Sequence, residues 1–179
     1  MSETRAADAT RTTTAPGPTT TGPGEGEAYW FYGDLAVVRS PEGALPIVIE
    51  HHVHPGGSAP LHVHHALDDS FFLLSGRLAL RCGDETFAAS AGDYVSMPKG
   101  VPHALRVIGE EEAVLIQTHA EPSFLNFIRA VGVPADQERP DPSSMDYEAM
   151  NVVAGETGQP VLGPPMTAEE AAGIVAAAG

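Results

Sequence analysis

The sequence predicts an all-β fold, a sandwich or barrel, on three observations. Short apolar runs follow one another from Tyr29 to His119, turn residues separate them, and no helix-period segment intervenes.

The elements follow in order. Residues 1–26 are rich in Thr, Pro, Gly and Ala and have no apolar period, so they bury too little to offset the entropy of ordering and read as a disordered tail. "LAVV" (35–38) ends at the turn Ser40-Pro41-Glu42-Gly43, and "IVIEHHV" (47–53) ends at Pro55-Gly56-Gly57. "LHVHH" (61–65) and "SFFLL" (70–74) come next. "RLALRC" (77–82) and "ETFAA" (85–89) flank Gly83-Asp84, a two-residue link whose leading glycine suits a type II′ hairpin. "YVSM" (94–97), "HALRVI" (103–108) and "AVLIQTH" (113–119) complete the strands, giving a β-domain over 27–120.

Residues 121–179 change character. "PSFLNFIRAVG" spaces Phe124, Phe127, Ile128 and Val131 as a helix ended by Gly132. A second helix is expected from Ser143 or Ser144. A third follows Thr167, whose partner Glu170 three residues on makes a capping box. These helices are expected to pack outside the β-domain.

Charge excludes several functions. Nine basic residues stand against 24 acidic ones, and a net charge of −15 repels phosphate backbones and anionic membranes. No nucleic-acid or membrane partner is expected. No apolar run nears the ~20 residues of a membrane span, and the N-terminus lacks the apolar centre of a signal peptide. The single cysteine, Cys82, permits no internal disulfide and reads as a structural thiol. A cytoplasmic protein is the expectation.

All eight histidines lie between residues 51 and 119. On a strand, alternate residues share a face, so His62 and His64 point one way and His65 the other. Two imidazoles about 6–7 Å apart along a strand can converge on one ion, although such a pair alone is more often solvated or hydrogen-bonded. Glu50, His52 and His119 are further candidates for a cavity wall, while Phe71 and Leu73 read as core or pocket wall.

Two stretches carry a resemblance. Gly56, His62, His64, Asp69 and Gly76 keep one set of spacings, and Gly92, Pro98, Gly100 and His103 keep another. Together they resemble the two motifs of the cupins, small jelly-roll β-barrels. Asp69 replaces the usual Glu, and Val107 stands where Asn is usual. "YWFYGDLAVV" and "PVLGPP" are similar to the quercetin-dioxygenase-like branch of single-domain bacterial cupins.

The resemblance implies one divalent transition metal (Fe, Ni, Zn, Cu or Mn) held by His62, His64 and His103, with Asp69 as fourth ligand. Asp69 keeps the family's spacing to Gly76, and Asp68 is one residue out of register. Because aspartate is one methylene shorter, it either ligates or acts as a base or acceptor beside bound water. The implied function is a dioxygenase acting with dioxygen on an enolisable aromatic, flavonol- or polyketide-like small molecule. Non-redox metalloenzymes (lyase, cyclase, isomerase or decarboxylase) and non-catalytic small-molecule binding are the alternatives. A homodimer paired through the apolar strand around Trp30 is also expected.

Overall fold

The computed structural model describes residues 18–178, and its strands form two antiparallel sheets. The first runs β11 (Val133–Pro134), β1 (Glu27–Phe31), β2 (Asp34–Val38), β3 (Ile47–Val53), β10 (Ala113–His119), β5 (Asp69–Ser75) and β8 (Tyr94–Met97). The second runs β12 (Val161–Pro165), β4 (Ser58–His62), β9 (His103–Val107), β6 (Arg77–Cys82) and β7 (Glu85–Ser90). Phe71, Leu73, Met97 and Leu115 from one sheet pack against Leu78, Leu80, Leu105 and Val107 from the other, forming the core of a jelly-roll barrel.

Period-two alternation builds these strands. In β3 and β10 every second residue is buried, which puts Ile47, Ile49, His51 and Val53 on the inner face beside Leu115, Gln117 and His119. The hairpin at Gly83-Asp84 forms as expected. Gly83 takes φ 58° while Asp84 does not adopt positive φ, as a type II′ turn requires.

Three boundaries differ from expectation. β4 ends at His62 instead of running to His65, because the chain leaves the sheet there. Val63 N–H donates to the Pro160 carbonyl, His65 N–H to that of Gly158, and His64 accepts from Gly100 N–H. The second helix, α2 (Tyr147–Glu156), starts after Asp146, whose carboxylate caps Ala149 N–H at 3.0 Å. A short 3-10 turn occupies Pro142–Ser144 instead. "VLGPP" becomes an edge strand, the position where proline is tolerated in a sheet.

The first helix, α1 (Ser123–Val131), buries Phe124, Phe127 and Ile128. The third, α3 (Ala168–Ala178), lies over β6 and β7 and opens with the capping box: Thr167 N–H donates to Glu170 Oε2 at 2.7 Å, and Glu170 N–H donates back to Thr167 Oγ1. Residues beyond His119 therefore supply three helices and two edge strands.

Residues 1–17, most of the Thr/Pro/Gly-rich segment, lie outside the described residues. Where the chain enters the description, the Thr21 hydroxyl donates to the Arg39 carbonyl, and the Arg39 guanidinium reaches the carbonyls of Gly22 and Glu25. The strand around Trp30 is not a bare edge. Trp30 pairs with Val133, its indole donates to the Gln137 carbonyl, and Arg139 lies over its ring. The ground offered for a dimer there is absent. No helix among the described residues is long and apolar enough to cross a membrane.

Candidate metal centre

Pairing of β4 with β9 sets the first contact of the site. His62 and His103 are directly opposite in register, which brings their ring centroids to 4.4 Å. His64 lies just past the strand, and its Nε2 is 3.2 Å from His62 Nε2. Asp69, at the start of β5, completes the group with Oδ2 at 3.6 Å from His103 Nε2 and 3.9 Å from His64 Nε2. One ligand-capable atom from each of the four lies within 4.8 Å of all the others.

Two imidazoles have their tautomers fixed by neighbouring carbonyls. His62 Nδ1 lies 2.8 Å from the Pro60 oxygen and His103 Nδ1 lies 2.9 Å from that of Val101. A carbonyl only accepts, so both Nδ1 atoms carry the proton and both Nε2 atoms present bare lone pairs. His103 Nε2 is buried without any donor facing it. Such an orphan acceptor, in a ring whose other nitrogen is tied to a carbonyl, is the arrangement a metal-ligating histidine needs.

Spacing fits as well. Ligands at about 2.0–2.2 Å from one ion stand roughly 3–3.6 Å apart when adjacent, close to the separations here. Burial also acts on two of these imidazoles. It drives His62 down to about 4 and His64 down to about 3, so both are neutral at physiological pH. For Asp69, burial acts upward. The hydrogen bond from His119 and the imidazoles of His64 and His103 outweigh it, and hold the carboxyl well below the usual carboxylate range.

The expected residues therefore converge, and Asp69 is the carboxylate that faces them. Asp68 points to the surface, where it accepts from Lys99 N–H, and His65 is exposed. Glu50 and His52 do not reach the cavity. They bond to each other at 2.8 Å on the outer face, with Arg39 and Glu112 as further partners. His51 is the inward residue of that strand, as alternation with Ile47, Ile49 and Val53 indicates. Cys82 is half-buried and burial pushes its thiol up, which suits a structural role.

Two residues of β10 complete the carboxylate's surroundings. Gln117 donates Nε2–H to Asp69 Oδ1 at 3.0 Å, and His119 Nε2 lies 3.4 Å from the same oxygen. Phe124 of α1 closes the other side, its ring centroid 4.8 Å from His119 and 5.7 Å from His64. The signal for Gln117 and His119 was their phase with Leu115: polar residues on an apolar face. Phe124 gave no such signal, since a helix's buried stripe does not say what it covers.

Residues 49–119 match a family model described as "Cupin domain". The chain is 28% identical over 122 residues to the quercetin 2,3-dioxygenase of Bacillus subtilis, a match covering 66% of this chain and 36% of that protein. It is 40% identical over 52 residues to an uncharacterized protein of Streptomyces coelicolor, covering 29% of this chain and 50% of the other. The chain thus spans about a third to a half of the length of these curated relatives. Among solved structures, KdgF from Halomonas sp. superposes with a TM-score of 0.51 at 13% identity, over 59% of this chain and 96% of that one, a likeness of fold.

Proposed function

We infer, for a chain that carries a cupin domain over residues 49–119, that it is a metal-dependent dioxygenase acting on an enolisable small molecule. In this reading His62, His64, His103 and Asp69 hold one divalent transition ion. The observation that carries it is the pair of Nε2 lone pairs on His62 and His103, bared by carbonyls behind them and facing His64 and a buried carboxylate. A donor set of three neutral imidazoles and one oxygen suits Fe, Ni, Zn, Cu or Mn.

The ion would supply Lewis acidity and open positions for a substrate oxygen and dioxygen. The chain's own residues do the rest. Pro60 and Val101 aim two imidazoles inward, and Gln117 and His119 hold Asp69 Oδ1 so that Oδ2 faces the cluster. A carboxylate stabilised this strongly as an anion is a poor proton acceptor, which favours Asp69 as a ligand over Asp69 as a base. Apolar walls from Val53, Leu105, Leu115, Phe31, Phe124 and Phe127 exclude water around the reacting atoms. The likeness to the Bacillus dioxygenase supports oxygen chemistry over the non-redox reactions that the same ligands allow.

Oxygen uptake by protein loaded separately with each of the five metals, with enolisable carbonyl compounds and flavonols as substrates, tests the reading. The expected result is uptake matched to substrate loss, with both oxygen atoms in the product. Substrate conversion without oxygen uptake would assign a non-redox reaction instead.

A further inference from the structure

Phe124 stands second in α1, five residues after the last residue of β10, so the helix crosses the barrel end where the histidines meet. Its ring lies 6.0 Å from His51 as well as against His64 and His119, and it is only 7% exposed. Behind it the cover is aromatic. Phe31 packs edge-on to Phe124 at 5.9 Å and to Phe127 at 5.2 Å, Tyr32 packs edge-on to Phe31 at 4.9 Å, and Tyr147 of α2 stacks on Tyr32 at 5.8 Å. Rings meeting edge to face in this way have little freedom to part without losing contact on both sides.

The space left beside the cluster is small. The cavity lined by His62, His64, Asp69 and these rings measures about 90 Å³. Ordinary ligand pockets run from about 300 Å³ upward. No fused ring system fits beside the histidines while Phe124 stands where it does.

We propose that Phe124 is a specificity-determining residue that restricts the site to compact enolisable carbonyl compounds, and that flavonols are excluded by its ring. The proposal rests on the reading of the cluster as a metal site and narrows the substrate of that site. It separates this chain from an enzyme for a three-ring substrate, although the metal ligands would be the same. Truncating Phe124 removes a ring that touches both the cluster and the aromatic cover, so the space gained lies directly over the histidines.

The test uses full-length protein offered Fe, Ni, Zn, Cu and Mn and loaded with whichever it retains, with metal content measured first on wild type, Phe124→Ala and Phe124→Leu. Titration calorimetry with pentane-2,4-dione and with quercetin follows on each. Wild type is expected to bind the dione and reject the flavonol. Phe124→Ala is expected to gain flavonol affinity by about 10–200-fold at unchanged metal content, with Phe124→Leu between them, the usual reach of an apolar pocket wall. Phe124→Leu keeps an apolar side chain in the core and carries the test should the alanine variant not fold. Equal flavonol binding by wild type and either variant, or continued exclusion by a folded, metal-loaded variant, would overturn the proposal. Failure of all three proteins to retain metal would instead sink the reading of the cluster and is visible before any ligand is added.

Discussion

Gln117 reaches from β10 to donate Nε2–H to Asp69 Oδ1 at 3.0 Å, leaving Oδ2 to face His103 at 3.6 Å. One oxygen of the carboxylate is thereby anchored to the neighbouring strand, and the other is presented to the histidines. The shorter aspartate does not fall short of the cluster; the neighbouring strand holds it there.

With Asp69 in the proposed ligand role, Asp69→Asn removes an anionic donor, so metal affinity is expected to fall at least about tenfold and turnover with it. Asp69→Glu is expected not to tighten binding, because Oδ2 is already placed and the extra methylene must displace Gln117 or His119. Chelator competition on the purified variants checks both. Normal metal content in Asp69→Asn with turnover down about 10²–10⁴-fold would make Asp69 a base instead of a ligand.

Gln117→Leu leaves a buried carboxylate oxygen without its amide donor. The expected cost is about 1–3 kcal/mol of stability, read by urea unfolding. Metal affinity is expected to fall about 10–100-fold, as when an outer partner of a ligand is lost. Unchanged values of both would show that Gln117 merely fills space.

The metal-free protein should lose stability in mild acid. Burial depresses His51 and His62 to about 4 and His64 to about 3, against 6.5 in an unfolded chain. Above pH 6.5 these rings are neutral in both states and stability is flat. Between pH 6.5 and about 4 the unfolded chain takes up protons that the folded one refuses, so stability falls as pH falls, by up to about 1.4 kcal/mol per unit for each ring. Bound metal keeps the same rings free of protons, so loaded protein should start from a higher stability and lose it over the same pH range. Urea midpoints that stay level from pH 7 to 4.5 without metal would contradict this.

Much of this was legible in the sequence, and the exceptions have physical causes. Strands β3, β6, β8 and β10 were readable because apolar alternation and flanking turns agree, and the four cluster residues because their spacing survives folding. The strand through His62 was overextended, since nothing local shows that Val63 and His65 bond to the distant Pro160 and Gly158 carbonyls. His51 was passed over for Glu50 and His52, although its odd-numbered neighbours Ile47, Ile49 and Val53 mark the inner face. β12 escaped because a proline-rich edge strand forms only when β4 is there to pair with it.

Gly132, just past the end of α1, stands where there is no room for a side chain. Its φ of −74° suits any residue, but an added Cβ would lie 2.6 Å from the Ile128 carbonyl and 3.0 Å from Tyr29 Cβ. Gly132→Ala is therefore expected to destabilise by about 1–3 kcal/mol through steric displacement of the helix that carries Phe124. Thermal unfolding within about 0.5 kcal/mol of wild type would show that the backbone yields without cost.

The central claim is that the four converging side chains hold a metal, and elemental analysis tests it most directly. Full-length protein incubated with each of Fe, Ni, Zn, Cu and Mn and then freed of excess is compared with His103→Ala treated alike. Close to one equivalent of at least one metal per chain is expected in the wild type and its loss in His103→Ala, which takes away an Nε2 lone pair that has no hydrogen-bond partner among the described residues. Wild type that retains none of the five, or His103→Ala that retains as much as wild type, would contradict it.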